Sequence, residues 1–487
     1  MSAKVAANTG GHGGNSGVHV AGTDASDIFA EHLARVGYGD LPVAAINAAK
    51  ASILDTLACV YAGTAGADVA EILKAVKQWG GQPSCTIIGF GGLKVPPVSA
   101  VLANGSAIHQ DDFDDCHDNA PSHPTSASLI PAIAVAEERG GVSGRDLIVA
   151  VALANDLTCR LAKAITAKIF DHPWFRAPVC GLFGATAAAA KIRGASAAQH
   201  RHALGLALPL VGGTWASLHH TDSSVRSIRD GLNYHNGVIA AELAMRGLRG
   251  DPEVFEGPYG FFPAYFNGQY QREEIIGKLG EHYETAYVSL KPWPSMRNLH
   301  NMITAVIDVM KQHDLHFEQI SNVEMEVGKI NFTRCRPVSL GAIPGKRIDL
   351  LSNLHFAVAG AIRHRNVPLA LFHDAKLADD VILNAMPKVT WRVSERQDSA
   401  SSFASFEIGR AQITTVSGQI YNGECPLDRA LGHPSNPMSL EQRKSKFLEC
   451  SKLAAQPMRE ARALEIIDMV EDLEEVRDIA SLMKLLA

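Results

Sequence analysis

A chain of 487 residues is long enough for two or more domains with large buried cores. Hydrophobic residues make up 46% and charged residues 20%, an ordinary globular mix, and the formal net charge of −6 argues against nucleic acid or an anionic membrane surface as partner. An anionic substrate would need a local basic pocket set against that global balance.

Residues 1–25 are rich in Gly, Ala and Asn and read as a disordered arm, with neither a signal-peptide core nor an Arg-rich presequence. The glycine run Gly10-Gly-His-Gly-Gly14 follows no strand, so it fails the context test for a phosphate loop. The eight cysteines are scattered singly, which favours reduced thiols and a cytoplasmic protein. Apolar runs such as Leu147 to Ala154 are too short to span a bilayer, so no membrane partner is expected.

From residue 26 to 287 the pattern is helical. Ile46, Lys50, Ile53, Leu57 and Val60 mark one face of an amphipathic helix, and Gly63 fits its C-cap. Ala-rich helices are predicted at about 97–108, 126–138, 144–168, 182–193 and 197–210. Between the first two lies His109-Gln-Asp-Asp-Phe-Asp-Asp-Cys-His117-Asp-Asn-Ala-Pro-Ser-His123, with five carboxylates and three histidines in fifteen residues. On a solvated loop such acids only repel one another. In a cleft beside imidazoles each shifts the pKa of the others, which makes acid/base equipment. Asp and His at this spacing also suit a divalent cation, but no Glu-x-x-His or His-x-x-x-His pair accompanies them.

His172 stands in Asp171-His172-Pro173, a step that resists continuing a helix and places the histidine in a loop before a helix near Gly181. Arg226 lies in Ser224-Val-Arg-Ser-Ile-Arg-Asp-Gly231, and Lys291 opens Lys291-Pro-Trp-Pro-Ser295, where two prolines stiffen the chain. From 288 to 421 the texture changes to strands at Val323–Val327, Val389–Val393, Phe403–Ile408, Ile413–Val416 and Gln419–Tyr421. Helices at about 351–363 and 376–385 sit among them, and three more, 439–454, 458–471 and 476–486, close the chain. The reading is mainly α: a large all-α helical domain (26–287, completed by 422–487) with an inserted smaller α+β lid domain (288–421).

Asp112-Phe-Asp-Asp115 followed by His123-Pro124 resembles the signature of the MmgE/PrpD family, which holds 2-methylcitrate dehydratases, cis-aconitate decarboxylases and some epimerases of small dicarboxylates. His172-Pro…Phe183-Gly184 and Lys291-Pro-Trp-Pro294 resemble further family segments, and the layout agrees from about residue 26 to 487. The resemblance implies a homodimer that binds a small anionic carboxylate and works without metal or other cofactor. It implies Asp112, His123, His172 and Lys291 as catalytic, and Arg226, Cys116 and Ser295 as substrate-binding. Arg226 departs from the lysine that many members carry; arginine binds a carboxylate bidentately, whereas lysine can exchange a proton. The insert Cys116–Ser122 has no tryptophan, unlike typical methylcitrate dehydratases, and Cys116 replaces the small hydroxyl residue of cis-aconitate decarboxylases. The expected activity is a lyase of dehydratase or decarboxylase type. The alternatives are a two-base epimerase and a catalytically inactive binding protein.

Overall fold

The structure is a computed structural model that describes residues 23–168, 171–219, 223–328, 347–373, 382–394 and 408–487. The protein is mainly α with small sheets. Its principal helices begin with α1 (Ala25–Arg35), α2 (Val43–Gly63), α3 (Ala67–Trp79) and α4 (Pro97–Ile108). They continue through α5 (Pro124–Arg139), α6 (Gly144–Ala164), α7 (Arg176–Ile192), α8 (Ala197–Ala207) and α9 (Val225–Met245). After residue 290 come α10 (His300–Gln312) and α11 (Leu354–His364), then α12 (Leu440–Lys452), α13 (Glu460–Glu471) and α14 (Ala480–Leu486). Three of these helices open on capping boxes written in the sequence: Ser143 with Asp146, Ser196 with Gln199, and Ser439 with Gln442.

Two large hydrophobic cores gather most of the buried apolar side chains among the described residues. One runs from Ala25 through α9 to Tyr283 and is completed by Phe447, Ile466 and Leu482 of the C-terminal helices. The other gathers residues from Trp293 to Ala430 around a four-stranded sheet. That sheet has the order β6 (Val389–Val393), β5 (Ile320–Val327), β7 (Gly409–Thr415), β8 (Ile420–Cys425). β5 and β6 are parallel, with Val323 opposite Val389; β5–β7 and β7–β8 are antiparallel. The second core extends past residue 421 because β8 runs on to Cys425, whose side chain is buried with Ala430. The expected arm up to residue 22, residues 403–407 of the expected strand and 376–381 of the expected helix lie outside the described residues.

Helix α2 differs from the expected amphipathic element. From Ala49 to Gly63 it is buried on every side, and it is long and apolar enough to cross a membrane by composition. Because 72% of its most apolar window is buried in the protein, it is a core helix, enclosed by α4, α12 and other helices. Gly63 is its last helical residue, and its role is close approach: a Cβ there would sit 1.7 Å from the carbonyl oxygen of Ala107 on α4.

The crossing of α4 and α9 sets the position of the chemistry. Gly105 and Gly231 face each other, so that a Cβ on Gly231 would lie 2.3 Å from the Leu102 carbonyl oxygen. Backbone contact at this point brings the start of α9, with Arg226 and Arg229, against the end of α4, where the acidic segment begins. Gly231→Ala must push the helices apart; we expect about 1–3 kcal/mol of lost stability from such overpacking. Thermal unfolding of the variant checks this, and an unchanged midpoint would show that the crossing relaxes freely.

Candidate active site

The acidic segment is buried. After α4 a 3-10 turn (His109–Asp111) leads to Asp112, which takes left-handed backbone angles at φ 46°. A non-glycine residue there stores strain of roughly 1–3 kcal/mol, which its contacts must offset. The chain then forms the short strand β3 (Cys116–His117), paired antiparallel with β4 (Val288–Ser289), and returns at His123, the N-cap of α5. The β3–β4 pairing carries the segment after residue 290 to the acidic turn. Asp111, Asp114 and Asp115 have no exposed surface.

Asp112 holds the ion pairs together. Lys291 Nζ lies 2.6 Å from its Oδ1 and 2.9 Å from its backbone oxygen, and Arg226 Nη2 lies 3.0 Å from its Oδ2. Burial would raise the Asp112 pKa, but Lys291, His109 and Arg226 outweigh it and hold the carboxyl well below the usual range. Lys291 is itself buried; Asp112 and Asp114 more than offset that burial and keep it charged, with a raised pKa.

A second carboxylate, Asp114, bridges two histidines. Its Oδ1 is 2.8 Å from His109 Nδ1 and its Oδ2 is 2.9 Å from His123 Nδ1. His123 and His109 hold Asp114 ionised against its burial, while burial and Arg229 push His109 toward the neutral form despite the nearby acids. Beneath them, burial drives Asp115 up to about 7, even though the Thr125 amide faces it. Arg297 binds Asp118 through two hydrogen bonds of 2.8 Å and holds it at about 2 against burial. Lys446, from α12, anchors the floor. Its Nζ reaches Asp55 at 2.7 Å and the backbone oxygens of Phe113 and Lys291 at 2.8 and 3.0 Å.

Several of these groups line a cavity of about 670 Å³, a volume that includes open solvent at its mouth. Its wall carries Arg226, Arg229, Lys291 and Arg297 against Asp112 and Asp118, with His109, His117 and His123. Phe175, Trp215, Met296 and Cys116 supply apolar surface, the thiol of Cys116 being kept neutral by burial. Such a wall suits a small polyanion whose carboxylates meet cations and whose carbon skeleton meets apolar contacts. Of the residues named from sequence, the structure brings Asp112, Cys116, His123, Arg226 and Lys291 to this cavity. His172 is not part of its wall; its ring packs edge-on against Phe266 at 4.8 Å. The helix near it starts at Arg176, before the expected position. Ser295 also lies off the wall, fully buried, with its hydroxyl 3.2 Å from His300 Nε2.

Sequence reasoning missed Arg229, Arg297, Asp118 and His117, although all four stand inside the motifs that were singled out. Lys446 carries no local signal. His109, Asp114 and His123 each place one ligand atom within 4.8 Å of the others, close enough for a cation. The same atoms already satisfy one another by direct hydrogen bonds.

The N-terminal residues 27–274 match the family description "MmgE/PrpD N-terminal domain", and residues 293–473 match "MmgE/PrpD C-terminal domain". The chain is similar to the cis-aconitate decarboxylase-like protein oryM of Aspergillus oryzae, 25% identical over 92% of this chain and 94% of that protein. It is similar to the cis-aconitate decarboxylase of Aspergillus terreus, 26% identical over 92% of each chain. A third relative, the cis-aconitate decarboxylase of Homo sapiens, is 25% identical over 94% of each chain.

The raised Asp115 has a stability consequence. Its pKa of about 7 exceeds the ordinary 3.8, so its contribution is full below about pH 4 and is lost as pH rises through 7. Asp115→Asn should flatten the fall in denaturation midpoint between about pH 4 and 7. An unchanged slope in the variant would mean that Asp115 stays ionised.

Proposed function

This chain belongs to the MmgE/PrpD family, and on that premise we propose that it is a metal-independent lyase that decarboxylates a small di- or tricarboxylate. The observation that carries this reading is the cavity wall, where four cationic side chains face two carboxylates in a protein of net charge −6. The relatives named as cis-aconitate decarboxylases support decarboxylation over the other outcomes.

In this reading Arg226, through its fork of donors, clamps one substrate carboxylate, and Lys291 stabilises the charge that grows as the bond to the departing carboxylate breaks. Their shared partner Asp112 fixes both heads in place. His123 gives Nδ1 to Asp114 and to the Asp115 carbonyl at 2.8 Å, which leaves Nε2 for proton exchange with substrate. Phe175 and Trp215 shield the site, so the electrostatic contacts act in low dielectric.

The test incubates the enzyme in deuterium oxide with cis-aconitate, 2-methylcitrate and a set of dicarboxylates. Release of carbon dioxide with deuterium in the product is expected; water loss or simple inversion would assign a different outcome, and no turnover or exchange with any compound would overturn the reading. A strong chelator should leave the rate unchanged. Complete loss restored by one divalent ion would transfer the His109–Asp114–His123 cluster to metal chemistry.

Two variants test the clamp. Arg226→Ala should raise KM strongly, and Arg226→Lys should retain part of the activity because lysine keeps the charge without the fork. Lys291→Ala should lower kcat by about 100-fold or more, the scale of a lost electrostatic stabiliser. Wild-type kinetics in all three would place the substrate elsewhere.

A further inference from the structure

The cavity holds two separate histidine–carboxylate pairs. His123 and His109 share Asp114. His117 stands apart with its own carboxylate: its Nε2 lies 3.0 Å from Glu284 Oε2. Glu284 is held firmly. Its Oε1 lies 2.9 Å from Lys163 Nζ and 3.2 Å from His282 Nε2, and its backbone amide donates to Asp156 Oδ1 at 2.6 Å.

The backbone of His117 is equally fixed. Its amide donates to Ser122 O and its carbonyl accepts from Ala120 N, both at 3.2 Å, and Val288 pairs with it across β3–β4. The ring is buried on the cavity wall. With Nε2 committed to Glu284, Nδ1 is left without a hydrogen-bond partner among the described residues. The ring lines the cavity with Asp118 and Arg297, where a bound ligand would meet it.

We infer that His117 is a second catalytic histidine, oriented by Glu284, whose Nδ1–H delivers a proton to the substrate. The inference rests on the decarboxylase reading above. In the step, the bond from carbon to the leaving carboxylate breaks, its electron pair stays on the carbon, and carbon dioxide departs. That pair takes the Nδ1 proton to form a C–H bond, and the N–H pair stays on the ring. His117 is then neutral, its Nε2–H still donating to Glu284, and solvent returns one proton to Nδ1 after product leaves. Each turnover consumes one proton, which replaces the lost carboxyl group.

The charged groups around His117 are Glu284, Lys163 and His282 on one side and Asp118, Arg297 and His433 on the other.

The experiment compares His117→Gln and Glu284→Gln with wild type, using cis-aconitate first and then any better substrate found. His117→Gln should lower kcat by about 100-fold or more, with KM changed less than about threefold. Glu284→Gln should also lower kcat, and Glu284→Asp should restore part of it, a rescue that a purely structural role would not produce. Full kcat in His117→Gln or in Glu284→Gln overturns the inference. Should His117→Gln fail to fold, kcat of Glu284→Gln against Glu284→Asp decides. Should wild type consume no carboxylate, the reaction reading fails by itself, and nitrogen-15 NMR of histidine-labelled protein with tricarballylate decides the role of His117. A perturbed His117 Nδ1 signal supports substrate contact, and an unperturbed signal overturns it.

Discussion

The rest of the site depends on one buried carboxylate. Asp112 is forced into the interior with left-handed backbone angles, and an unpaired charge there would cost several kcal/mol. Lys291 and Arg226 remove that cost by binding one oxygen each. They come from different places: Arg226 opens α9 of the helical body, and Lys291 begins the crossover to the second core. The ion triad therefore fixes the acidic turn, the helix and the crossover relative to one another. It also explains how a strained residue persists, because the surroundings over-determine its conformation.

Lys446 extends this constraint to the C-terminal helices. Its ammonium neutralises Asp55 of α2 and holds the carbonyls of Phe113 and Lys291, while lying 3.7 Å above the Phe113 ring. The last helices thus support the cavity wall as well as closing the first core. A buried lysine in this role acts through geometry: the carbonyls it fixes belong to the neighbours of Asp112 and Asp114 and to Lys291 itself.

The electrostatics of the cavity run against those of the whole protein. In a chain of net charge −6 the wall carries surplus positive charge, and each cation on it is individually tied: Arg226 and Lys291 to Asp112, Arg229 to Asp230, Arg297 to Asp118. Pairing holds these side chains in fixed positions on the wall. Arg229 is further held over the Phe175 ring at 4.8 Å. The neutral, buried Cys116 thiol contributes shape and no charge.

By itself the sequence determined the local features. Helical patterning placed α4, α6 and α12 within a few residues, and alternation placed β6 at Val389–Val393. The density of Asp and His between two Ala-rich helices marked the acidic turn, and the motifs around Arg226 and Lys291 marked its cationic partners. These signals are short-range, so they survive in a one-dimensional reading. Tertiary structure alone decided the rest. A His-Pro step cannot reveal that His172 turns toward Phe266, and Ser295 gives no hint that its hydroxyl faces His300. The role of Gly63 in helix contact depends on Ala107, far along the chain. Lys446 reaches Phe113 from 333 residues away, and Glu284 reaches His117 across 167. Such pairings are set by how helices cross and strands register, where the cost of burying charge selects the partner, and no local pattern encodes that choice.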